Sequence, residues 1–103
     1  MKKEIVKKIE VLESGELILI LENKGQSSYQ FVYREAAGVY WNPSLNGFIT
    51  TDPKDWSYSK WFSHIVEVVN QTGIQLALSD KTEWIGLDSS DKEIILTEYS
   101  VQS

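Results

Sequence analysis

The stretch from Trp56 to Gly73 constrains this chain more than any other. Ser57 stands where an N-cap accepts a free backbone N–H, and Trp56 and Trp61 hold the N′ and N4 spacing of a hydrophobic staple. Tyr58, Trp61, Phe62, Ile65, Val68 and Val69 then recur at helical period as one broad apolar stripe. Gly73 sits where a left-handed residue ends a helix. The spacing predicts a helix over residues 57–72 with one face that must be buried. A chain of 103 residues fits a single domain, residues 1–103, so that face has to find its cover within the same fold.

The first half supplies the cover. Residues 4–12 alternate Ile5, Lys7, Ile9 and Val11 against Val6, Lys8 and Glu10, which predicts a strand with one mostly apolar face. Ser14-Gly15 turns it into residues 16–22, whose unbroken apolar run from Leu17 to Leu21 predicts a strand buried on both faces. Residues 28–34 alternate Tyr29, Phe31 and Tyr33 with Gln30, Val32 and Arg34, again a strand pattern. Val39-Tyr40-Trp41 and Phe48-Ile49-Thr50 are predicted to pair across a loop ending in Asn46-Gly47, whose residues tolerate positive φ. Beyond the helix, Ile74, Leu76 and Leu78 predict one strand and residues 82–85 a shorter one.

Near the C-terminus, Ser90 and Glu93 have capping-box spacing ahead of Ile94, Ile95, Tyr99 and Val101, which predicts a short helix. The same segment also alternates as Ile95, Thr97, Tyr99 and Val101. Strands first and helices after predict an α+β fold. Its sheet is expected to be antiparallel and meander-like, with the main helix on one face and a short C-terminal helix.

Charge and composition narrow the partners. The chain has no cysteine, which excludes disulfides, thiolate metal sites and thiol nucleophiles and fits a reducing compartment. Its longest apolar run is five residues, against about 20 for a bilayer-spanning helix. The lysine-rich start is followed by no apolar signal core, so a cytoplasmic protein without a membrane partner is expected. Net charge is −5; Lys2, Lys3, Lys7 and Lys8 crowd the start and leave six basic against fourteen acidic residues elsewhere. That surface repels a polyanion, so no nucleic-acid partner is expected, and the four lysines are read as keeping an edge strand unpaired.

No motif names a reaction. There is no Gly-x-Ser-x-Gly elbow and no phosphate-cradling glycine loop. Asp88-Ser89-Ser90-Asp91 resembles part of a calcium loop but lacks its glycine and ligand ladder, and helix capping explains it better. No cofactor and no metal are expected. His64, the single histidine, falls beside the apolar stripe near Lys60 and Glu67. With Asp52, Asp55 or Glu67 it offers a hydrolase or isomerase reading as a general base. Arg34, the single arginine, is either an anion clamp or half of a structural ion pair. The net negative charge also fits an acidic inhibitor or immunity-type protein that blocks a basic site.

Aromatic density is the main functional signal. Three of the four tryptophans and four of the five tyrosines lie between residues 29 and 61. Most fill the core, but Trp, Tyr and Arg are also the residues enriched in binding hot spots. The leading expectation is a non-enzymatic binding module with Tyr33, Arg34, Tyr40, Trp41, Trp56, Trp61 and His64 around a cleft between sheet and helix. Its partner would be a protein or a small amphipathic ligand, and a homodimer through the same surface is a close variant.

The run from Tyr33-Arg34-Glu35 through Gly38-Val39-Tyr40-Trp41, with Trp56-Ser57-Tyr58-Ser59-Lys60-Trp61 downstream, resembles small orphan proteins carried on bacterial integron gene cassettes. The resemblance spans roughly residues 28–85. It implies a compact α+β protein from a mobile bacterial gene pool, and it carries over no catalytic residues.

Overall fold

Strand β1 (Lys2–Val11) is the axis of the molecule. On one side it pairs antiparallel with β2 (Leu17–Leu21), from Val6 opposite Leu21 to Val11 opposite Leu17. The computed structural model describes residues 2–31, 38–50, 56–99 and 101–102. Strands β3 (Val39–Asn42) and β4 (Gly47–Thr50) form the expected hairpin, closed at Asn46 with φ +58, and β4 adds antiparallel to β2. The Asn46 side chain reinforces that turn, accepting from the Gly25 N–H and donating to the Leu21 and Asn23 carbonyls.

Helix α1 (Tyr58–Gln71) follows, then β5 (Ile74–Ser79), β6 (Glu83–Ile85), helix α2 (Ser89–Glu98) and β7 (Val101–Gln102). The sheet order is β3-β4-β2-β1-β5-β7, with β6 pairing β1 off this path. The α+β architecture is as expected, but the sheet is mixed and not purely antiparallel. β5 and β6 both run parallel to β1, and β7 runs parallel to β5. The cause is topological. Each helix carries the chain back along the sheet, so the strand after it starts from the end where its predecessor started. No helix among the described residues is long and apolar enough to cross a membrane.

Two local readings also change. Residues 27–31 form a 3-10 turn (Ser27–Phe31) where a strand was expected; its Tyr29 N–H donates to the Gln26 carbonyl and its Tyr29 side chain is buried. Within β1 the pairing slips between Val6 and Lys8, so Glu4, Val6 and then Ile9 face the core instead of an unbroken alternation from Ile5. A bulge adds one residue and swaps the faces beyond it. The neighbouring strand is broken to match. β5 ends at Ser79 and β6 begins at Glu83, and the buried Thr82 hydroxyl spans the break, donating to the Val6 carbonyl at 2.7 Å and accepting from the Ser79 N–H at 2.9 Å.

The helix signals locate α1 closely. Ser57 is the N-cap, its oxygen accepting from the Lys60 N–H, and Gly73 follows the helix at φ +90. Trp61, Phe62, Ile65, Val68 and Val69 bury their stripe against Val6, Ile9, Leu17, Leu19, Ile74 and Leu78 of the sheet. The cap of α2 lies two residues earlier than the Ser90 expected, because the Asp88 carboxyl accepts from the Asp91 N–H at 2.8 Å. In α2 only Ile95 is buried, while Ile94 and Leu96 point outward. Asp91 in turn accepts from the Ser59 N–H at 3.3 Å, so α2 supplies a second cap to α1.

Candidate functional site

The aromatic residues resolve into two groups at different places in the fold. Strand β3 alternates, so Trp41 faces inward and Tyr40 faces the other side, half-buried. Trp41 meets Tyr29 edge-on, with centroids 5.3 Å apart and planes at 87°, and Phe48 at 4.9 Å. A Cβ on Gly25 would overlap the Trp41 ring, so the chain needs glycine where it passes over the indole. This group is closed off from solvent: Trp41 is 7% exposed, Tyr29 3% and Phe48 0%.

Tyr29 also makes a buried contact that the sequence reading did not single out. Its hydroxyl donates to the carboxyl of Glu4, which is itself buried. Burial first, then the hydrogen bond to Glu4 and repulsion from it, hold the Tyr29 phenol above its usual ionisation range. The only sequence-level hint was an acid at an inward position of a strand otherwise edged with lysines.

The second group lies at the start of α1. Trp61 is buried, Trp56 and His64 are half-buried, and Lys60 is exposed. Trp56 meets Trp61 at a tilt, with centroids 4.8 Å apart, and His64 edge-on at 5.3 Å, and Trp61 meets His64 edge-on at 5.8 Å. The Lys60 ammonium sits 4.7 Å from the Trp56 ring centroid, in reach of a cation–π contact. The helix dictates this grouping: positions 60, 61 and 64 lie within one turn, and the staple brings Trp56 back over them.

The structure therefore places Trp56, Trp61 and His64 together and sets Trp41 in a separate core group. Tyr33 and Arg34, and the carboxylates Asp52 and Asp55, lie outside the described residues. Glu67 is exposed on α1. Among the described residues, no group of three or more His, Cys, Asp or Glu side chains is arranged to hold a metal ion.

A further feature escaped the sequence reading. Phe62 and Tyr99 meet edge-on at 4.9 Å and form one wall of a cavity of about 310 Å³ beside β5, with Val6, Leu76 and Leu78 also lining it. Tyr99 was legible only as the end of a loose apolar stripe. Nothing local marks it as the wall of a pocket.

A small α+β domain with a mixed sheet, and with paired aromatics at its sheet–helix seam, is what these elements define. The family model of Integron Cassette Protein Hfx_Cass5 matches residues 8–82, and the chain belongs to that integron cassette protein family. A solved structure, an integron cassette protein Hfx_Cass5 from the mobile metagenome of the North West Arm Sewage Outfall, is 29% identical to it. The match covers 94% of this chain and 95% of that one, with a TM-score of 0.43. Comparison with curated proteins gives no match.

Proposed function

We propose that this integron cassette protein is a non-enzymatic interaction module, and that its partner surface is the Trp56–Lys60–His64 patch at the start of α1. One observation carries the reading: Trp56 is held half-exposed by the buried Trp61 beneath it and by His64 beside it, with a lysine ammonium over its ring. A large ring fixed in this way has little rotamer freedom left to lose, and pre-ordered aromatics backed by a cation suit a binding hot spot. Lys60 and His64 also place positive or titratable groups on a chain of net charge −5, which favours a partner face carrying acidic groups around an apolar centre. A protein partner, including a second copy of this chain, fits this patch better than a small molecule, because the cavity beside β5 is lined by other residues.

The test is site-specific photo-crosslinking in the native host. A benzophenone amino acid at position 60 is expected to give a discrete adduct that disappears when Trp56→Ala is added. The same probe at exposed Gln71, at the far end of α1, is expected to give none. Light scattering across a concentration series decides whether the adduct is a dimer of this chain. Equal adducts from positions 60 and 71, or an adduct indifferent to Trp56→Ala, overturn the proposal.

A further inference from the structure

The two helices are held in unequal ways. Helix α1 buries Trp61, Phe62, Ile65, Val68 and Val69, whereas α2 buries Ile95 alone and leaves Ile94 and Leu96 exposed. Elements with little buried apolar surface open locally at a lower free energy than the core around them. What α2 does hold is the start of α1. Its own first turn fixes Asp91, whose N–H donates to the Asp88 carboxyl at 2.8 Å. The Asp91 carboxyl then accepts from the Ser59 N–H, and one turn on the Ser63 hydroxyl donates to the Glu98 carboxyl at 3.2 Å. Asp91 thus lies in the first turn of one helix and against the first turn of the other, and both N-terminal ends favour a negative charge.

Ser59 and Ser63 each stand one residue before a member of the Trp56–Lys60–His64 patch, Lys60 and His64. The Ser59 and Ser57 hydroxyls lie 3.0 Å apart. Ser57 in turn accepts from the Lys60 N–H at its side chain and from the Trp61 N–H at its carbonyl. The backbone that carries Lys60 and Trp61 therefore hangs on Ser57 and Ser59, and α2 holds Ser59 from outside the helix. Ser59 and Ser63 share one face of α1, with Lys60 and His64 about 100° further round. Asp91 is thus a positioning residue, acting on the patch through the backbone of the turn. We propose that α2 is a strap that controls the Trp56 surface: when it lifts off, the first turn of α1 comes loose and the surface loses its shape. The inference rests on that surface being the partner site. Coupling of this kind is reciprocal, so a partner seated on Trp56 favours docked α2 by the same factor that docked α2 favours the partner.

The experiment is native-state hydrogen exchange of the ¹⁵N-labelled full chain in low guanidinium. The amides of residues 93–98, Lys60 and Trp61 are expected to share one opening, with protection at least about tenfold below that of β1 and β2 and a weaker dependence on guanidinium. Val39→Ala empties a buried site in β3, at the sheet edge opposite β7. It is expected to speed exchange in β1 and β2 at least about fivefold and to leave the shared opening unchanged, because β3 stays formed in that opening. Ile95→Ala is expected to speed α2, Lys60 and Trp61 by one common factor. Should a variant fold poorly, the exchange pattern of the unaltered chain decides alone. A second arm uses the photo-adduct at position 60, in which residues 89–98 are expected to exchange at least about fivefold more slowly than in the free chain. The inference is overturned if α2 exchanges only together with β1 and β2, or if Lys60 and Trp61 keep the protection of Ile65 and Val68 while α2 opens. An adduct that leaves α2 exchange unchanged overturns it as well. A missing adduct overturns the surface reading, whereas an adduct on a chain whose α2 opens only with the core overturns this inference alone.

Discussion

Two tryptophans of this chain, Trp41 and Trp56, sit in aromatic trios of similar size, yet the two trios behave as different materials. Around Trp41 the rings of Tyr29 and Phe48 close completely, a glycine makes room, and a buried carboxyl takes up the one polar hydroxyl. Around Trp56 the rings of Trp61 and His64 leave the indole half-buried beneath a mobile-stemmed cation. The first arrangement is a way of fixing a fold, since its rings are packed almost wholly inside. The second keeps contact area in reserve. Aromatic density in the sequence cannot separate the two, because what differs is which backbone passes overhead.

The contrast is most exposed to a pair of truncations. Trp41→Ala should cost about 3–5 kcal/mol of unfolding free energy, the usual range for emptying a buried aromatic site. Trp56→Ala should cost less than half of that, and comparable losses in urea denaturation would erase the distinction between the trios.

Next in size is Tyr29→Phe, which strands the buried Glu4 carboxyl and is expected to cost about 1–3 kcal/mol. A double-mutant cycle with Glu4→Leu should recover much of it. The same phenol gives a pH signature. Its folded ionisation point is raised above the ordinary 10.0, so folding keeps this contribution below about pH 10 and loses it as pH climbs past that value. The slope approaches about 1.4 kcal/mol per pH unit for one proton, and it should flatten in Tyr29→Phe when thermal melts are compared between pH 9 and 11.5.

Asp91→Ala removes the cap that α2 supplies to α1 and is expected to cost about 1 kcal/mol, read as a lower midpoint in guanidinium. The smallest effect belongs to Lys60→Ala, about 0.5 kcal/mol for an exposed cation–π contact, with a matching rise in the accessibility of Trp56 to acrylamide quenching. A destabilisation well above that would mean the Trp56 trio is structural after all.

What could be read from the residues was what short-range physics controls. The boundaries of α1 follow from Ser57, the staple and Gly73, all within the helix or two residues of it. The β3–β4 hairpin follows from Asn46-Gly47. The parallel pairing of β1 with β5 was hidden because it joins segments 72 positions apart, from Lys2 to Ile74, and no pattern inside either strand reports its partner's direction. The bulge after Val6 was hidden for a related reason, since it answers a break in β5–β6 far along the chain. The 3-10 turn at Tyr29 overrode a sound strand pattern, with the ring buried against Trp41 and Phe48 in place of a sheet partner. Of the proposed surface, the Trp56–Trp61–His64 cluster was legible because it is one helix turn plus its staple. The cavity beside β5 was not, because Val6, Phe62, Leu76 and Tyr99 meet only through the fold.

The cap that Asp91 places on Ser59 has a consequence for how the chain is made. As the polypeptide leaves the ribosome, the first turn of α1 emerges more than thirty residues before the carboxyl that completes it. Until the second helix is synthesised, that turn has Ser57 alone to hold it. A helix translated later therefore finishes one begun before it, and nascent chains halted before residue 88 should show a frayed start to α1 even where the sheet beneath it has already formed.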